Sequence, residues 1–232
     1  MTSVKPILFL ISYFNSLIKY VVLYVFIAIP SFSSAGSYED FFQALQHDQV
    51  QVVSSLLNRG FDPNTVNLNA EPAIFVAFKN ESFKALEALI KHPKSNLNVK
   101  NIHGETILML VSLKGDLKLA ELLIGRQADI NQPGWAPLHY AATGANPTIV
   151  KLLLDESAYI DAESPNGTTP LMMAARYGST AAVQLLINEG ADVKIKNQLG
   201  LSALDFAKDG NRPDAIKLLE PLMKQASGTN KP

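Results

Sequence analysis

Gly167-Thr168-Thr169-Pro170-Leu171-Met172-Met173-Ala174-Ala175, continued by Val183-Gln184-Leu185-Leu186-Ile187 and closed by Gly190-Ala191-Asp192-Val193, is the stretch that decides the fold. The Thr169 hydroxyl suits the start of a helix, where it can accept from amides that have no partner in the first turn. Pro170 then fills the first helical position, where a missing N–H costs nothing. Leu171, Ala174 and Ala175 give this first helix a small apolar face, and Val183, Leu186 and Ile187 give a second helix a bulky one. Gly190 supplies the left-handed residue that ends the second helix, after which the chain extends away. The segment predicts two short antiparallel helices and an extended exit.

The same pattern recurs on both sides. Upstream, Gly104-Glu105-Thr106-Ile107-Leu108 leads to Ala120-Glu121-Leu122-Leu123-Ile124 and Ala128-Asp129-Ile130-Asn131. Between these copies, Ala136-Pro137-Leu138-His139-Tyr140-Ala141-Ala142 leads through Asn146-Pro147, a second cap and proline pair, to Leu152-Leu153-Leu154 and Ala158-Tyr159-Ile160-Asp161. Weaker copies run from Phe41 to Asn64, from Glu71 to Asn98 and from Gly200 to Leu219. With Tyr38, Glu71, Thr106, Ala136, Thr169 and Ser202 as equivalent positions, the spacings are 33, 35, 30, 33 and 33. Period and pattern together resemble the ankyrin-repeat family, and the likeness covers nearly everything after Gly36. It implies an all-α solenoid of about six helix-turn-helix repeats with short β-finger loops. The repeats fall at 36–66, 67–101, 102–133, 134–164, 165–197 and 198–226, followed by a disordered tail at 227–232. One helical pair cannot bury its own apolar surface, so stability must come from stacking on neighbours, and the end units need polar outer faces. Tyr38-Glu39-Asp40-Phe41-Phe42-Gln43 at one end and Lys208, Asp209, Lys217, Glu220 and Lys224 at the other fit that need.

Ahead of the repeats, Lys5 and Lys19 precede an uncharged apolar run from Tyr20 to Ile29, then Pro30 and the small residues Ser31 to Gly36. This has the form of a signal peptide at 1–35, with Ser33 and Ala35 placed for cleavage before Gly36. Retention as an anchor is the alternative, although the run is shorter than the roughly 20 residues a bilayer span needs. Cleavage predicts a periplasmic or secreted chain with no membrane span. The net charge of −1 implies no general attraction to nucleic acid, and removal of the segment's two lysines lowers it to −3. With zero cysteines, disulfides, thiolate chemistry and cysteine-held zinc are excluded.

Breaks in the pattern point to function, because stacking alone does not require them. Asn131 to Ala136 is shorter than Asp161 to Thr169, so one finger is clipped, and the clipped segment carries the single tryptophan, Trp135. Trp135 is either an anchor for a partner beside a notch or the filler of the volume that the deletion leaves. Ala136 lacks a capping side chain, a loss of roughly 1 kcal/mol. Gln127 and Ser157 stand where Gly60 and Gly190 provide left-handed geometry, and residues 92–96 form a longer loop. The family resemblance places partners on the finger tips and the exposed ends of the first helices. At matching positions these are Ile102, His103, Glu105, Trp135, Asn166, Thr168, Gln198 and Leu199 on the fingers, with Phe78, Lys79, Leu113, Lys114, Thr143, Arg176 and Tyr177 on the helices. Of these, Trp135, Tyr177, Arg176, His103, Lys114, Lys79, Asn166 and Gln198 form the expected partner-binding set. They make an aromatic and cationic strip suited to an acidic or mixed partner, unless Lys79, Lys114 and Arg176 are ordinary solvated charges.

Four histidines, at 47, 92, 103 and 139, show no zinc-ligand spacing. No phosphate loop, nucleophile elbow or dinucleotide fingerprint is present. The expectation is a non-enzymatic, monomeric, exported bacterial-type adaptor that binds another protein, with no cofactor and no metal. The alternatives are an exported effector acting on a host protein, or an accessory partner of an oxidative-stress enzyme.

Overall fold

The computed structural model describes residues 36–144 and 146–228, with side chains to residue 225. The expected signal segment at 1–35 lies outside them, as do residues 229–232 of the expected tail; residues 227 and 228 continue the last helix. Among the described residues the architecture is all-helical. The helices are α1 (36–46), α2 (Val50–Asn58), α3 (Ala73–Lys79), α4 (Phe83–Lys91), α5 (Ile107–Lys114), α6 (Leu117–Gly125), α7 (Pro137–Thr143), α8 (Pro147–Asp155), α9 (Pro170–Tyr177), α10 (Thr180–Asn188), α11 (Ala203–Asp209) and α12 (Pro213–Gly228).

Consecutive helices from α3 onward pack in pairs, α3 on α4 through α11 on α12. The first helices also pack in a row, α3, α5, α7, α9 and α11, and the second helices form a parallel row from α2 to α12. The core lies between the rows. The first helices contribute Ile107, Leu108, Leu138, Leu171, Ala174 and Ala175, and the second contribute Leu86, Leu89, Leu119, Leu123, Ile149, Leu153, Val183 and Leu186, all buried. Small residues on the first helices let the row close tightly: a β-carbon added at Gly178 would overlap the Ala142 carbonyl, and one at Gly144 would overlap that of Leu113. Both glycines cap the ends of first helices, and any side chain there would force the neighbouring repeat away.

The caps follow the sequence reading in most repeats. The Thr169 hydroxyl accepts from the Met172 amide, Thr106 from Met109 and Ser202 from Asp205, while Asn146 accepts from Thr148. Ala136 has no side-chain cap, and the His139 ring partly replaces it. In the second repeat the capping position is Pro72, not Glu71. Glu71 is instead the last residue of the preceding finger, which puts the Pro72 to Thr106 spacing at 34. Tyr38 caps nothing: it lies within α1, packs its ring at a tilt against that of Phe42 and donates its hydroxyl to the Val66 carbonyl. At the helix ends Gly60 and Gly190 have φ of 94° and 100°, and Gln127 and Ser157 take the same turn at 62° and 68°.

Two sets of hydrogen bonds fix the repeat spacing. In the first, a carboxamide or carboxylate in the extended exit of one repeat accepts from a backbone amide of the next: Asn64 from Asn96, Asn98 from Asp129, Asn131 from Tyr159 and Asp161 from Asp192. Burial pushes the Asp161 carboxyl above its ordinary range. In the second, arginines reach back to helix-end carbonyls, Arg126 to Lys91 and His92, and Arg212 to Gly178. The first pair also ties down the longer loop at 92–96, where Ser95 donates to the Leu89 carbonyl.

Candidate binding face

The fingers are tight turns rather than strands, with one isolated bridge, Val66 to Pro72, among the described residues. Each full finger is organised by its first residue. The Asn67 side chain accepts from the amides of Asn69 and Glu71, Asn101 from His103 and Glu105, and Asn197 from Leu199 and Leu201. Ser164 does similar work with Thr168. These local bonds replace the ladder that a short finger has no room to form. They leave apolar tips in solvent, with Ile102 85% exposed.

The clipped finger departs from this scheme. Gly134 turns at φ 82°, and Trp135 drops toward α7, its ring meeting His139 edge-on at 5.2 Å. The indole remains 36% exposed. Trp135 thus packs on one side and walls a cleft of about 200 Å³ on the other, with Leu113, His139, Tyr140, Thr143 and Met173 completing the lining. His139 itself is fully buried. Its Nδ1 accepts from the Ala136 amide at 3.1 Å, and its Nε2 donates to the Thr168 carbonyl at 2.9 Å. Burial holds its pKa below the ordinary 6.5, so the ring is a neutral strut between one helix start and the next finger.

A second depression of roughly 460 Å³ lies one helix along, between the finger turns organised by Asn67 and Asn101, lined by Pro72, Phe75, Phe78, Ile102 and Leu110 together with the polar Asn69, Glu71, Lys79, Asn101 and His103. Glu105 stands between the two depressions. One carboxylate oxygen accepts from Asn101, which lines the larger groove, and the other accepts from the Tyr140 hydroxyl at 3.0 Å, which lines the cleft. Burial, reinforced by that carboxylate, pushes the Tyr140 phenol well above its ordinary range.

The eight residues expected to bind a partner fall into distinct groups. Lys79 and His103 share the larger groove, and Trp135 walls the cleft. Lys114 is bonded to Glu81 at 2.6 Å with its ammonium 4.8 Å from the Phe83 ring centre. That contact holds the Glu81 carboxyl below its ordinary range. Arg176 pairs with Asp209 and lies over Tyr177, which is 50% exposed. Asn166 and Gln198 staple two fingers: the Gln198 amide donates to the Asn166 carbonyl, and its side chain donates to Pro165. Thr168 is buried, its carbonyl taken by His139. The strip is therefore apolar and aromatic, with two of its three cations offset by carboxylates of neighbouring repeats. Phe75, Leu110, Tyr140 and Met173 complete the two depressions and were not singled out in the sequence. For the last three the signal is a bulky residue four places after the cap, at Leu110, Tyr140, Met173 and again at Phe206; Phe75 stands three places after Pro72 and lies outside that pattern.

The ankyrin-repeat pattern, in units of three copies, matches residues 41–133, 75–164, 108–197 and 138–227, and the chain belongs to that family. Among its relatives, a rat ankyrin repeat and SAM domain-containing protein is 33% identical over 111 residues, which are 46% of this chain and 12% of the relative. An ankyrin repeat protein of Rickettsia felis is 31% identical over 131 residues, covering 54% of this chain and 55% of that one. A Xenopus laevis Notch-regulated ankyrin repeat-containing protein is 34% identical over 89 residues, 36% of this chain and 78% of the relative. The chain thus spans about an eighth of the first relative and about half of the second. Ankyrin repeats mediate protein interactions. No helix among the described residues is long and apolar enough to cross a membrane.

Proposed function

We propose that the chain is a non-enzymatic adaptor, exported to the periplasm or secreted, that captures one protein through the face formed by its fingers and first helices. The observation that carries this reading is the apolar cleft at the clipped finger, where Trp135 is held by His139 on one side and open to solvent on the other. A partly exposed indole at the edge of an apolar recess is the kind of anchor on which binding energy concentrates. Export is supported by the lysines, apolar run and small residues ahead of Gly36. An epitope-tagged full chain crosslinked in the exporting cell tests both points. Wild type retains a discrete partner and has the mass of a chain starting at Gly36, and the double variant Trp135→Ala, Tyr177→Ala loses the partner while keeping its helical circular dichroism. Undiminished capture by the double variant refutes the binding face; an uncleaved intact mass refutes the processing.

A further inference from the structure

The two depressions on the finger face differ from their surroundings in charge as well as shape. Lys114 is offset by Glu81 and Arg176 by Asp209, each across one repeat. Lys79 and Glu71 both edge the larger groove and cancel in net charge. Glu105 is left over: its hydrogen bonds come from the neutral groups of Asn101 and Tyr140, and no ion pair among the described residues includes it. Held by one residue that lines each depression, its part-buried carboxylate lies between them. The face therefore places a carboxylate between a depression floored by Phe75, Phe78 and Leu110 and one walled by Trp135 and Met173.

Resting on the reading that this face binds a protein, we infer that it takes an extended segment of the partner carrying two bulky apolar side chains with a lysine or arginine midway between them. Neighbouring packed helices lie about 8–10 Å apart. The larger groove lies between α3 and α5, and the cleft lies across α5, α7 and α9, so their centres are separated by more than one such step. Side chains at i and i+4 of an extended chain point the same way and stand about 13 Å apart, with i+2 between them on the same side. A segment apolar–x–Lys/Arg–x–apolar thus seats one apolar group against Phe75, Phe78 and Leu110, the other against Trp135 and Met173, and the cation on Glu105. An acidic segment faces the Glu105 carboxylate directly.

Selection of phage-displayed random nine-residue peptides on the immobilised full chain tests this. The expected outcome is enrichment of peptides with that spacing. A fluorescein-labelled copy of one then binds about tenfold more weakly to the Glu105→Gln chain, and equally so when its own cation is replaced by glutamine, with no further loss when both changes are combined. Glu105→Gln keeps an acceptor for the Tyr140 hydroxyl, and an unchanged melting curve confirms that the fold is intact. Peptides that ignore Glu105→Gln yet fail on the Trp135→Ala, Tyr177→Ala chain overturn the inference and leave the binding face standing. Peptides that ignore all three changes overturn both. Enriched acidic peptides, or no enrichment, overturn the inference.

Discussion

Ser157 occupies the left-handed turn at the end of α8 with φ 68°, a conformation in which its β-carbon crowds the backbone; Gly60 and Gly190 take the equivalent turns without that cost. Ser157→Gly is therefore expected to raise the melting temperature, by the equivalent of about 1 kcal/mol. A fall would show that the turn is held by something other than backbone preference. The position was legible because glycine stands at its counterparts three repeats upstream and one repeat downstream. The pairing of Lys114 with Glu81 and of Arg176 with Asp209 was not. Each partner looks like an ordinary surface charge until repeats of 33 residues bring the two together, so the strip read as cationic when it is largely neutral. Ser112 is a further case: a buried hydroxyl without a hydrogen-bond partner in α5, at the place where α7 and α9 carry Ala142 and Ala175.

At the level of elements, α7 begins without a hydroxyl cap, and His139 links its first amide to the carbonyl of the next finger. That strut works only while Nδ1 is unprotonated. The folded-state pKa lies below the ordinary 6.5, so the contribution to stability is fully present above about pH 6.5 and is lost as the pH falls toward the folded value. Melting temperatures followed from pH 7 to pH 5 should fall more steeply for wild type than for a His139→Gln chain, even if the variant starts lower; parallel curves would refute the strut. The clipped finger before α7 was legible in the spacing of 30, because loop length is written directly in the chain. The cap of α3 was not. Glu71-Pro72 offers two candidates, and only the turn organised by Asn67 assigns Glu71 to the finger. The recurrence of asparagine at 67, 101 and 197 carried that information in a form that helix patterns do not weigh.

Across the whole molecule, the principal packing joins helices of one repeat or of adjacent repeats. Order is passed along a line and not gathered around one centre. Small-angle scattering should return a radius of gyration clearly above the roughly 17 Å of a compact domain of this length, with a distance distribution tailing to long separations. A value at or below that figure would contradict the array. The row of fingers has a further property that its regularity hides. Equal teeth one repeat apart would let an elongated partner settle in several equivalent alignments, shifted by whole units. The missing tooth at Trp135 removes that degeneracy, acting as an index mark that tells a docking chain both where to stop and which way round to lie.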